Sequence, residues 1–246
     1  MIVLITGATD GLGRGLARAL DADGHTVLVH GRSEQRIADT LAELSDRARR
    51  YRADLASLAE VRRLADEVRE HEPQLDVLVN NAGIGTEGGR EESADGYELT
   101  FAVNYLAGFL LTRRLGDLPG RIVNVASAGQ APIDFDDVML ERHYSGGQAY
   151  GQSKLAQIMF TFDLADDGAT AVALHPATYM PTKMVASPIS TLEEGIEATQ
   201  RLVTAPAAEV TGRYFNGLRQ ARANGQAYDA DARRALRELS ERLTGA

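Results

Sequence analysis

The sequence predicts a single α/β domain over residues 1–246: one parallel sheet of about seven strands, doubly wound, with helices on both faces. Three observations carry this. Short apolar runs alternate with amphipathic stretches from end to end, the mark of βαβ units. A glycine-rich turn lies directly between the first strand and the first helix. No linker, low-complexity run or repeat interrupts the alternation.

The strands are expected at 2–6, 26–30, 75–80, 121–126 and 171–175, with weaker ones at 49–53 and 213–215. Leu12, Leu16, Ala19 and Leu20 have helical spacing. Ser57 and Glu60 form a capping box ahead of Val61, Leu64, Ala65 and Val68. Right-handed crossovers between such units give a Rossmann-type sheet. The least regular segments, 83–96, 128–148 and 176–190, each follow a strand, where an open α/β sheet places its ligand.

Composition excludes several classes. A formal net charge of -9 disfavours nucleic acid as a partner. The absence of cysteine removes disulfides and thiolate metal sites, and the five histidines form no metal-ligand cluster. The apolar start lacks a basic leader, and nowhere do about 18 apolar residues run together. A cytoplasmic protein without a membrane span is the expectation.

The turn Thr6-Gly7-Ala8-Thr9-Asp10-Gly11-Leu12-Gly13 lets a pyrophosphate approach backbone N–H groups at a helix N-terminus. Its spacing is Gly-x-x-x-Gly-x-Gly, and an ordinary glycine-rich turn is the competing reading. The second strand ends at His30-Gly31-Arg32-Ser33. A unit built for NAD commonly carries a carboxylate here; Gly31 has none, and Arg32 offers a fork of donors suited to a 2′-phosphate. An isolated arginine would be read as a solvated surface residue, and only its position favours the phosphate. Asn80-Asn81-Ala82-Gly83 follows the fourth strand and is by itself a turn signal.

Tyr150-Gly151-Gln152-Ser153-Lys154 places a phenol and an ammonium at i and i+4 on one helix face, with Cβ atoms roughly 5–6 Å apart. A nearby ammonium favours the phenolate and lowers the phenol pKa toward the working range of a general acid/base. Many helices contain this pair as surface residues. Ser127 strengthens it, since a hydroxyl at the carboxyl end of a buried strand can hydrogen-bond a substrate carbonyl.

The glycine pattern, Asn80-Asn81-Ala82-Gly83, Asn104, Ser127 and Tyr150-x-x-x-Lys154 occur in the order found in the short-chain dehydrogenase/reductase superfamily, which the chain resembles over nearly its whole length. Residues 94–98, 103–112, His175-Pro176, 227–229 with 239–240, and the long 127–150 interval resemble its retinol dehydrogenase-like carbonyl reductase subgroup. The resemblance implies that Asn104, Ser127, Tyr150 and Lys154 are catalytic. Asn104 would hold a helix and a relay water, Ser127 would orient the carbonyl, and Tyr150 would transfer the proton. Lys154 would bind the nicotinamide ribose and tune Tyr150. Cofactor contacts would come from Gly7, Thr9, Gly11, Leu12 and Gly13 at the pyrophosphate and Arg32 at the 2′-phosphate. Asp54 and Leu55 would lie at the adenine, Asn81, Ala82 and Gly83 on the adenosine side, and Pro176 and Thr178 near the nicotinamide, with Tyr150 and Lys154. NADP(H) is the preferred cofactor and NAD(H) the alternative. Two positions depart from the family: Ala177 replaces a usual glycine, leaving Thr178 or Thr182 as the nearby contact, and Asp10 stands where NADP users commonly carry a neutral or basic residue.

The expected reaction is hydride transfer between a nicotinamide and a carbonyl or alcohol. An apolar aldehyde or ketone would sit under loops 128–148 and 176–192 among Ile133, Phe135, Val138, Met139, Leu140, Tyr179, Met180, Met184, Val185 and Ile189. Asp134, Asp136, Asp137 and Glu141 would repel a second anion. The competing reading is that these apolar residues merely pack the loops. An NAD-using epimerase or lyase is the first functional alternative, against which only 65 residues follow Pro181. A non-enzymatic redox sensor is the second, against which the four catalytic positions are all present. The superfamily pairs the helices holding residues 101–115 and 150–162, giving homodimers or homotetramers.

Overall fold

The computed structural model describes residues 1–85, 88–181 and 187–246. Thr182, Met184 and Val185 lie outside the described residues. The elements in order are β1 (Ile2–Ile5), α1 (Gly11–Ala22), β2 (Thr26–Gly31), α2 (Glu34–Leu41), β3 (Arg49–Arg52), α3 (Leu58–His71), β4 (Leu75–Asn80), α4 (Leu99–Phe101), a π turn (Ala102–Leu106), α5 (Ala107–Leu115), β5 (Pro119–Val125), α6 (Gly146–Asp166), β6 (Ala171–His175), α7 (Leu192–Thr204), α8 (Ala207–Val210), β7 (Arg213–Asn216), β8 (Arg219–Ala221), a 3₁₀ turn (Gly225–Tyr228) and α9 (Ala230–Thr244).

The strands form one sheet in the order β3-β2-β1-β4-β5-β6-β7-β8. All pairings are parallel except β7 with β8. The seven anticipated strands are present, and β8 is additional. Its sequence, Arg219-Gln220-Ala221, is too short and polar to announce a strand, and it forms because Gly217, at φ +56°, turns the chain back along β7. The direction of winding reverses between β1 and β4, so a crevice opens above their carboxyl ends.

Alternate strand residues feed two cores. Val3, Ile5, Val27, Val29, Val77 and Val79 face α1, α2 and α7. Leu4, Leu28 and Leu78 face α3, α5 and α6. Parallel strands covered on both faces need this unbroken apolar character. The Ser57 cap holds at Glu60 N–H, 3.4 Å, but the reciprocal half of the expected capping box does not form. The Glu60 carboxylate instead accepts from Asp54 N–H at 2.8 Å, because the loop after β3 brings that donor closer.

The second core determines what can approach α5 and α6. Residues 151–164 of α6 are all buried within the single chain. The C-terminal helix α9 covers that side. Tyr105 Oη meets Ser240 Oγ at 2.7 Å, Tyr97 Oη and Arg62 Nη2 cap the Leu243 and Thr244 carbonyls, and Arg233 and Arg237 pair with the buried Asp163 of α6. Within the chain, α9 thus packs over part of α6.

Tyr105→Phe keeps the buried ring and removes its hydrogen bond to Ser240. A buried neutral hydrogen bond contributes about 1 kcal/mol, so urea denaturation should show a loss of about that size with the slope unchanged. A loss near zero would mean that the Tyr105–Ser240 contact does not help to hold α9.

Candidate active site

The glycine turn is held from three sides. Thr6 Oγ1 accepts from Asn81 N–H and Ala82 N–H, both at 3.0 Å. The Asn81 side chain donates to Thr6 O at 2.8 Å and Gly7 O at 3.3 Å. Gly7 sits at φ +66°, and Gly7 N–H donates to His30 Nδ1 at 3.2 Å. A Cβ on Gly13 would fall on the Gly7 carbonyl oxygen and 2.6 Å from Asn81 Nδ2. The Asn81 amide thus serves the turn itself, which composition could not reveal.

The sequence places His30 at the end of the second strand without assigning it a role. It is buried, accepts from Gly7 through Nδ1 and bonds Ala53 O through Nε2 at 3.2 Å. Burial lowers its pKa to about 4, so near neutrality it is the uncharged tautomer that this pairing requires. The detectable signal was a histidine at the end of an otherwise apolar strand.

At the adenosine end, Arg32 is exposed, and its side chain makes no hydrogen bond or ion pair with the described residues. Asp10 caps α1 at Gly11 N–H, 2.9 Å, and pairs with Arg36 at 2.6 Å. Arg36 also reaches Thr9 O at 3.3 Å, so a cation stands against the carboxylate that the sequence placed near phosphate. Asp54 accepts from Ala56 N–H at 3.0 Å, and Leu55 and Thr9 are largely buried. A recess of about 280 Å³ is lined by Arg52 and by the ion-paired Glu34, Arg50, Glu60, Arg63 and Glu67, and by none of the residues argued for catalysis.

The proposed catalytic residues converge at the carboxyl ends of β4 and β5. Asn104 lies in the π turn, buried. Its Oδ1 accepts from Ile84 N–H at 2.7 Å, while Nδ2 donates to Ile84 O and Ser153 Oγ, both at 3.0 Å. Ser153 in turn donates to Tyr150 O at 2.7 Å. The Ser127 carbonyl accepts from Tyr214 Oη at 3.0 Å and Gln130 Nε2 at 2.9 Å, two supports absent from the sequence reading. The Tyr150 phenol titrates under a hydrogen-bonding influence from the Ser127 side chain, and the Ser127 hydroxyl itself accepts from Gly129 N–H at 3.1 Å.

Burial raises the Tyr150 phenol above its ordinary value, and the bond to Ser127 opposes that rise. This differs from the sequence expectation that Lys154 lowers it. Lys154 Nζ lies 5.6 Å from the Tyr150 ring centroid and is bonded away from it, to Val125 O at 2.9 Å and Gln157 Oε1 at 3.0 Å. Burial brings the ammonium down to about 7. Pro176 is buried, and exposed Thr178 bonds His175 Nε2 through its hydroxyl at 2.9 Å.

The segment from 128 to 145 is pinned at several points. Gln226 holds Ile133 through both N–H and carbonyl, Gln148 holds Pro132 O, Gln152 holds Val138 O, and Arg90 holds Met139 O. Ile133, Val138 and Leu140 are buried, and Met139 packs on the first core. For these four the packing reading prevails. Met180 joins the second core. Phe135, Tyr179 and Ile189 face solvent, the last two at 61% and 73% exposure.

A family model described as short chain dehydrogenase matches residues 1–191. A candidate daunorubicin C-13 ketoreductase of Streptomyces sp. (strain C5) is 37% identical over 265 residues, covering 99% of this chain and 92% of that protein. Retinol dehydrogenase 14 of Homo sapiens is 33% identical over 289 residues, covering 99% and 86%. A short chain dehydrogenase from Burkholderia cenocepacia J2315, solved in complex with NADP, superposes with TM-score 0.70 at 27% identity, covering 87% and 94%. Among the described residues no helix is long and apolar enough to cross a membrane.

The neutral state of His30 gives a pH signature. Its folded pKa lies below the unfolded value of about 6.5, so the unfolded chain binds the extra proton first. The stabilisation is present above about pH 6.5 and is lost as pH falls toward 4. Between pH 7 and 5 the wild type should lose about 2 kcal/mol that His30→Gln does not. Equal losses in urea titrations of the two proteins would contradict a neutral buried His30.

Proposed function

From the premise that the chain belongs to the short-chain dehydrogenase family, and is an oxidoreductase acting on alcohol or carbonyl groups, we propose that it is an NADP(H)-dependent reductase of apolar aldehydes or ketones. The observation that carries this is the buried Lys154 ammonium anchored beside the Tyr150 ring, with Asn104 bonded to Ser153 on the helix that bears both and Ser127 acting on the phenol.

The residues present fit a dinucleotide. Gly7 and Gly13 form a cradle that a Cβ would fill, at the N-terminus of α1 and beside the strand-order reversal. Gly7, Thr9, Gly11, Leu12 and Gly13 would hold the pyrophosphate, Asp54 and Leu55 the adenine, Asn81, Ala82 and Gly83 the adenosine side, and Pro176 and Thr178 the nicotinamide side. Arg32 would take the 2′-phosphate, supported by the NADP complex of the Burkholderia cenocepacia protein. The cofactor, when bound, supplies the hydride. Ser127 Oγ orients the carbonyl oxygen. Tyr150 Oη, protonated at neutral pH because burial raises its pKa, donates its proton to that oxygen. Lys154 holds the ribose side and the proton supply to Tyr150.

The apolar substrate class is supported by the names of the two relatives, a daunorubicin ketoreductase and a retinol dehydrogenase, and by the solvent-facing Phe135, Tyr179 and Ile189 beside the site. The assembled proton-transfer group favours turnover over sensing.

Tyr150→Phe should lower kcat by about 10²-fold or more and leave cofactor affinity within a few-fold. The assay follows cofactor absorbance with medium-chain aldehydes, aromatic ketones and retinal-like compounds, and with sugar phosphates for contrast. Near-normal turnover by the variant would refute the proton-transfer role, and faster turnover of the phosphorylated set would refute the substrate class.

Arg32→Ala should cut NADPH affinity about tenfold or more and leave NADH unchanged, since a hydrogen bond to a charged group is worth about 1.5–3 kcal/mol. Fluorescence titration of both cofactors measures this. Equal wild-type affinities for NADPH and NADH would overturn the preference.

A further inference from the structure

Lys154 carries three N–H donors, and two of them have acceptors among the described residues. Val125 O comes from the end of β5, and Gln157 Oε1 comes from the next turn of α6, at i+3. Gln157 is 3% exposed, so its amide is not a solvated side chain that happens to lie nearby. Its main chain is fixed separately: Thr161 Oγ1 donates to Gln157 O at 2.8 Å and accepts from Asn124 Nδ2 at 2.8 Å, and Asn124 Oδ1 accepts from Asn80 at 2.9 Å. A buried polar ladder therefore runs from β4 through β5 to the main chain of the residue whose amide lies beneath the ammonium. On the remaining side of Nζ lie Gly83, whose added Cβ would be 3.4 Å away, and the Tyr150 ring.

We propose that Gln157 is a positioning residue of the proton-transfer site: with Val125 O it anchors two Lys154 N–H groups on the core side and leaves the third for the face shared with Gly83, Asn104 and Tyr150. The inference rests on the proposed roles of Tyr150 and Lys154. A neutral acceptor suits the place. A carboxylate would bind the ammonium too tightly, and an apolar side chain would leave its donor unpaired in the core.

The surroundings make the charge state readable. On α6 the titratable group facing Lys154 is Tyr150; β5 presents the Val125 carbonyl, the segment after β4 presents Gly83, and the π turn presents Asn104, none of which titrates. Burial alone lowers the ammonium, to about 7, so it is fully charged below about pH 6 and loses its proton as pH rises through 7. Altering the acceptor should move that midpoint in a known direction.

The sequence contains two lysines, Lys154 and Lys183, so ¹³Cε-lysine NMR of the whole protein gives two signals, and Lys183→Arg identifies Lys154. Gln157→Glu should raise the Lys154 midpoint by about one pH unit or more, since a facing opposite charge favours the ammonium. Gln157→Leu should lower it. The basic limb of the pH profile for kcat in carbonyl reduction should move with the midpoint in each variant, while KM for substrate changes by less than threefold on the scale of about 0.65 kcal/mol. Because the Thr161 bond uses the Gln157 main chain, both variants keep the ladder, and Gln157→Glu remains informative if Gln157→Leu does not fold. An unmoved midpoint, or a moved midpoint with an unmoved profile, would overturn the proposal. Lys154→Met is the separate control: retained turnover there would refute the role of Lys154 itself, whatever the NMR shows for Gln157.

Discussion

The Asn104 carboxamide is the constraint on which the site depends. It is buried, so each of its polar atoms must find a partner. It finds them on two segments far apart in sequence, Ile84 after β4 and Ser153 on α6. Reaching both pulls one turn of the helix between Leu99 and Leu115 into a wider π turn. The same turn sends the next residue, Tyr105, the other way, onto Ser240 of α9. One amide thereby fixes the loop beyond β4, the helix that bears Tyr150 and, through its neighbour, the C-terminal helix.

The mouth of the sheet is organised by neutral donors and acceptors more than by charges. Thr6, Asn81 and His30 together hold the glycine turn in the conformation a phosphate needs. None competes with an anion, since Thr and Asn are uncharged and burial keeps His30 neutral. The one acid at the turn, Asp10, is matched by Arg36. Both partners are about half exposed, so the pair contributes little to stability, and its consequence is local charge balance. Around Lys154 the same economy of charge recurs: its described partners are a carbonyl and an amide, backed by further amides and hydroxyls.

The substrate side divides into a rigid part and an open part. Glutamines 130, 148, 152 and 226 bond main-chain groups of the 127–138 region, and such side-chain amides replace the ladder bonds an irregular loop lacks. This explains why Ile133, Val138 and Leu140 are core residues in spite of lying in a loop. Side chains such as Phe135 and Tyr179 do not pack inward and stay exposed to solvent.

Local pattern was enough for the sheet. Valine-rich strands, helical spacing and a glycine turn each encode a backbone conformation within a few residues, so seven strands, the two-sided winding and the crevice were legible. Residue type and order offered Ser127, Tyr150 and Lys154 as candidates, because acid/base chemistry restricts which side chains can serve, and the family resemblance added Asn104. What lay beyond the sequence was every relation between residues distant along the chain. It could not show that Glu60 would turn from Ser57 to Asp54, that Arg36 would answer Asp10, or that α9 would close over α6. Nor could it show which way Lys154 would be held, since its partners come from β5 and the following helical turn, and burial reverses the simple expectation for Tyr150. Conformational preference is a local property of the chain, whereas desolvation and hydrogen-bond pairing exist only after distant segments have met.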